Sequence, residues 1–138
     1  MSKLIQATFI ATALLLAPAN YSQAGTCASN CGAKPLQFKP GQYIRVEIVN
    51  RTSSLVNLEQ FPEMRQISLE PGQQFKFHQA GGTKSNFSMV FWNHGGTSLK
   101  AAVSKPNFGT LRVEIKPGNI YPGDRSVYIL NDGRVSVF

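Results

Sequence analysis

Residues 43–50 read Tyr43-Ile44-Arg45-Val46-Glu47-Ile48-Val49-Asn50. In an extended chain Ile44, Val46 and Ile48 fall on one side and Arg45 and Glu47 on the other, the pattern of a half-buried strand with one solvent face, as antiparallel sheets carry. The same two-residue period returns in Leu111, Val113 and Ile115 against Arg112, Glu114 and Lys116, and in Phe75 and Phe77 against Lys76. No segment after the first residues sustains a helical period over three turns.

Turn chemistry separates these runs. Pro40-Gly41, Pro71-Gly72, Pro117-Gly118 and Pro122-Gly123 suit turns in which proline presets φ and glycine tolerates a positive φ. Asn131-Asp132-Gly133 between two apolar runs signals a hairpin. The predicted strands are 36–38, 43–50, 55–59, 65–69, 74–78, 87–92, 99–104, 110–116, 126–130 and 134–138. Many short strands with regular turns predict an all-β, antiparallel β-sandwich of immunoglobulin-like architecture, with a barrel as the alternative.

The first residues follow another rule. Lys3 supplies a positive start, Leu4 to Ala17 is an uncharged, mostly apolar run, and Ser22-Gln23-Ala24 resembles a small-x-small cleavage site. The run of 14 residues is shorter than the ~20 needed to span a bilayer. Residues 1–24 are therefore expected to be a signal peptide, 25–35 a flexible leader, and 36–138 a single domain. No other segment is long and apolar enough for an integral membrane helix. Cys27 follows the expected cut, but Ala24-Gly25-Thr26 departs from the Leu-small-small-Cys pattern of lipoproteins. In an oxidising compartment Cys27 and Cys31 are expected to form a disulfide. Closing so small a loop contributes roughly 2 kcal/mol on a chain-entropy estimate.

The full chain has 14 Lys and Arg against 7 Asp and Glu, and without Lys3 it remains basic by six. That excess favours an acidic protein face or an anionic envelope component, although scattered cations also serve solubility. Nucleic acid is not expected, since no basic run exceeds two residues. Phe87-Ser88-Met89-Val90-Phe91-Trp92 is apolar on both sides of a strand, so one side needs cover beyond the opposite sheet. A leader or loop would supply it, or a partner would, with Trp92 and Val90 as apolar anchors and Arg45, Arg112 and Lys116 steering acidic partners.

Other chemistries find less support. His78, His94, Cys27, Cys31, Met64 and Met89 are the soft and borderline metal-ligand types present. They do not follow the C-terminal Cys-His-Met grouping of sandwich-fold copper proteins, and Cys27-x-x-x-Cys31 lacks a partnered His-x-x-x-His. No Gly-x-Ser-x-Gly elbow accompanies the two histidines, and the loops Gly81 to Ser85 and Asn93 to Gly96 do not match a P-loop. Asn50-Arg51-Thr52 and Asn86-Phe87-Ser88 fit the N-glycosylation sequon, relevant only in a eukaryotic secretory pathway.

Pro-Gly-Gln, Val-Glu-Ile-Val-Asn-Arg-Thr at 46–52, Ser-Leu-Glu-Pro-Gly-Gln at 68–73 and Asp-Arg-Ser-Val-Tyr-Ile at 124–129 together resemble a group of small exported β-rich proteins of cyanobacteria. The resemblance implies a Gram-negative-type envelope or thylakoid-lumen address and carries no characterised activity over to this chain. The expectation is an exported, non-catalytic binding module without a cofactor. A metal-binding or redox protein built on Cys27, Cys31, His78 and His94 is the alternative, and a hydrolase-like enzyme the third.

Overall fold

The computed structural model describes residues 35–81 and 87–138. The expected signal peptide, the Cys27–Cys31 pair, most of the Gly81 to Ser85 loop and Asn86 lie outside the described residues. Nine strands follow one another: β1 (Gln42–Asn50), β2 (Val56–Phe61), β3 (Arg65–Leu69), β4 (Gln74–Gly81), β5 (Phe87–Asn93), β6 (Leu99–Asn107), β7 (Thr110–Pro117), β8 (Ser126–Ile129) and β9 (Val135–Val137).

They form two sheets, ordered β4-β1-β7-β6 and β3-β2-β5-β8-β9. The sheets share no hydrogen-bonded strand pair, so they stack as a β-sandwich and do not close into a barrel. The alternating residues read from the sequence fill the space between them. Ile44, Val46, Ile48, Leu111, Val113 and Ile115 from the first sheet meet Val56, Leu58, Phe87, Met89, Phe91 and Val127 from the second. Phe77 and Phe87 touch across the layers, with ring centroids 5.7 Å apart.

Two features differ from the expectation. β1 and β7 pair in parallel, in the register Val46–Leu111 and Ile48–Val113, while every other named strand pair is antiparallel. Alternation alone does not distinguish the two directions, because both leave side chains on alternate faces. Residues 36–38 make a single bridge, Gln37 to Arg134, in place of a full strand. That bridge still lets Phe38 donate its N–H to the Gly133 carbonyl at 2.9 Å and bury its ring.

The predicted turns form. Gly41, Gly72 and Gly123 adopt φ of 77°, 80° and 75°. Gly118 is the exception, since its φ is not among the positive ones and its role is close approach. A Cβ there would fall 2.3 Å from Ser98 Oγ and 2.9 Å from the Leu99 carbonyl oxygen. Asn131 to Gly133 joins β8 to β9, with the Gly133 N–H donated to the Leu130 carbonyl at 2.8 Å.

Candidate functional site

β5 is an interior strand of the five-stranded sheet, between β2 and β8. Phe87, Met89 and Phe91 point into the core, and Ser88, Val90 and Trp92 lie half-buried on the outer face. Val90 sits between Glu59 of β2 and Ser126 of β8, and Trp92 lies opposite Asn57. The pairing of β5 with β8 ends near Val90, where the Phe91 N–H reaches the Arg125 carbonyl at 2.9 Å. Before Arg125 the chain runs instead along β6, donating the Asp124 N–H to the Leu99 carbonyl and accepting the Ala101 N–H on Asp124 Oδ2. This divergence opens a groove of about 340 Å³ beside Trp92, with Thr97, Pro122, Asp124 and Arg125 among its walls.

The cations belong to the other side of the molecule. Arg45, Lys76, Lys100, Arg112 and Lys116 share the outer face of the four-stranded sheet, because each alternates with core residues on β1, β4, β6 or β7. Arg51, just after β1, joins them through Glu114. Six cations thus surround two carboxylates, Glu47 and Glu114. Among the other described residues the cations Lys39, Arg65, Lys105, Arg125 and Arg134 are balanced by Glu59, Glu63, Glu70, Asp124 and Asp132. The whole net charge of the described residues therefore stands on one sheet face.

Strand order explains the arrangement. Glu47 on β1 is directly opposite both Lys76 of β4 and Arg112 of β7. Their charged groups lie 3.6 and 3.3 Å from its carboxylate, and their stems shield it to 8% exposure. Glu114 is held by Lys116 at 2.9 Å and Arg51 at 3.2 Å. Hydrogen bonds from Lys116 and then Arg51 hold its carboxyl below the usual carboxylate range, so it stays ionised to lower pH. Arg45 and Lys100 have no ion-pair partner among the described residues. Lys100 stands directly opposite Lys116, a like-charge cross-strand pair that costs stability.

The anchors and the steering charges predicted from the sequence are thus split. Arg45, Arg112 and Lys116 are gathered on one outer face, whereas Val90 and Trp92 are on the opposite one. Lys76, Lys100 and Arg51 complete the basic face although sequence reading did not single them out. Lys76 was legible as an outward residue between Phe75 and Phe77, but its proximity to Arg112 depends on strand order.

The remaining candidates are scattered. His78 lies on the basic face, stacked on Tyr43 with centroids 5.9 Å apart, and His94 is exposed in the turn after β5. Met89 is in the core and Met64 is exposed in the β2–β3 turn. The described residues contain no group of three His, Cys, Asp or Glu side chains placed to share a metal ion. No helix among them is long and apolar enough to cross a membrane. Asn50 is fully buried, so its sequon is closed to a glycosyltransferase in the folded protein. Compared with known proteins, the chain matches no protein-family model and no curated protein.

The separation of the two faces has a measurable consequence. Trp92→Ala is expected to lower stability by about 1 kcal/mol, the share of a large side chain that is only half-buried. The basic face should keep its affinity for a polyanion within about twofold, because exposed charges act over roughly a Debye length. A thermal melt with polyglutamate titration reads both; loss of polyanion affinity would show that the faces are coupled.

Proposed function

We propose that this chain is an exported, non-catalytic binding module that engages an anionic partner through the outer face of its four-stranded sheet. The observation supporting it is the concentration there of all the net charge of the described residues, among which Arg45 and Lys100 have no ion-pair partner. A face of one sign steers oppositely charged partners and favours them once bound. The positive start at Lys3, the uncharged apolar run and the cleavage pattern of residues 1–24 support export, and the likeness to cyanobacterial exported proteins supports an envelope or thylakoid-lumen setting.

The test separates this face from bulk charge. A triple variant, Arg45→Gln, Lys76→Gln and Lys100→Gln, is compared with Lys39→Gln, Arg65→Gln and Arg125→Gln, which changes net charge equally. Polyglutamate binding, followed by fluorescence anisotropy at low and physiological salt, should weaken about tenfold or more for the first triple and about twofold or less for the second. Equal losses would reduce the effect to net charge, and wild-type protein that ignores polyglutamate would remove the proposal.

A further inference from the structure

Within the basic face, β4 has one neighbour, β1, and its other edge is open among the described residues. Hydrogen-bond alternation fixes which groups line that edge. Asn50 donates its N–H to the Gln73 carbonyl, so by register the residues opposite even-numbered β1 positions, Phe75 and Phe77, direct their backbone groups to β1. The odd-numbered β1 residues serve β7 instead, as Arg45 N–H to Gly109 O and Arg51 N–H to Ile115 O show. Gln74, Lys76 and His78 therefore present their N–H and C=O groups outward. Their side chains lie on the basic face, while Phe75 and Phe77 are only partly buried beneath the same edge.

Edge strands of this kind are templates for pairing with another chain. A second copy does not suit this one: an antiparallel β4–β4 pairing centred on Lys76 would set that cation directly opposite its own equivalent, with Arg45 on the next strand behind each, and like charges directly opposite repel. We infer that the occupant is an extended acidic peptide segment, added as a fifth strand to the β4 edge. Its alternate carboxylates lie beside Lys76 and His78, and its intervening apolar residues cover Phe75 and Phe77. The inference rests on the anionic-partner reading and narrows it to a peptide.

Proline provides the discriminating variant. The Lys76 N–H points away from the ladder, so Lys76→Pro removes no internal hydrogen bond, as edge strands tolerate, yet it blocks strand addition. Lys76→Gln removes the same charge and leaves the N–H. The probe is a fluorescein-labelled, end-capped peptide of alternating glutamate and valine, with a version N-methylated on alternate amides, measured by anisotropy. Lys76→Pro should bind the parent peptide about tenfold more weakly than Lys76→Gln, and wild-type protein should lose about as much toward the N-methylated peptide. The second comparison stands even if the proline variant does not fold. Equal binding in both comparisons, or binding of polyglutamate without binding of the peptide, overturns strand addition and leaves the basic face as the anionic site. Failure of wild-type protein to bind either probe overturns both proposals.

Discussion

Asn50→Ala should destabilise the domain by roughly 3–5 kcal/mol, read as a fall in the urea midpoint at unchanged m-value. Asn50 ends β1 with its side chain fully buried, and each of its polar atoms is engaged. Nδ2 donates to the Ser54 and Leu69 carbonyls, both at 2.8 Å, and Oδ1 accepts the Thr52 N–H at 2.9 Å and the Thr52 hydroxyl at 2.7 Å. One amide thereby ties the end of a strand in the first sheet to the end of β3 in the second. Alanine leaves the Leu69 carbonyl and the Thr52 N–H, both on buried residues, without this partner, and each such group costs about 1–3 kcal/mol. Asn50→Asp should be about as damaging, because a carboxylate oxygen would face two carbonyl oxygens. Thr52→Val, which removes only the hydroxyl, should cost about 1 kcal/mol. Equal, small losses for all three would show that the site is wetter than its burial implies.

Gly133→Ala is the second large effect, at about 3 kcal/mol or more. Gly133 has φ of 82°, where an L side chain costs about 1–2 kcal/mol. The larger cost is steric. A Cβ would fall 2.0 Å from the Phe38 carbonyl oxygen and 2.8 Å from its carbonyl carbon, both backbone atoms that cannot swing aside. Residues 36–38 must then lift from β9, withdrawing Phe38, which is 2% exposed with Lys105 Nζ 4.6 Å from its ring centre. Loss of a buried phenylalanine alone costs about 3–5 kcal/mol. Gly96→Ala is the matched control: φ is also positive, at 62°, but no atom lies within 4 Å of the added Cβ. It should cost only about 1–2 kcal/mol. A melt that places the two variants at the same temperature would show that residues 36–38 contribute little to the fold.

Much of the local structure was legible. Ile44, Val46 and Ile48 read as core and are core; Phe87, Met89 and Phe91 read as one side of a strand and pack together. The hairpin at Asn131 to Gly133 follows from its turn residues. Asn50 shows where such reading stops: the period puts it on the side of Ile44, Val46 and Ile48, but which groups a polar side chain there would meet is not written in the strand, and the approach of Leu69 and Ser54 makes it a buried hub. Glu47 is similar, an outward residue by alternation that becomes nearly buried because long cationic stems flank it on both sides.

By itself the sequence determined most of the strands, their turns and the two sides on which their side chains alternate, because these obey a two-residue period and local turn geometry. The tertiary structure alone decided which strands are neighbours, and with them the candidate site. Lys76, Glu47 and Arg112 come from three distant parts of the chain and meet in one row because β1 lies between β4 and β7. Trp92 is directed to the opposite surface for the same reason: a strand's period specifies only two sides, and the stacking of the sheets decides which surface each becomes.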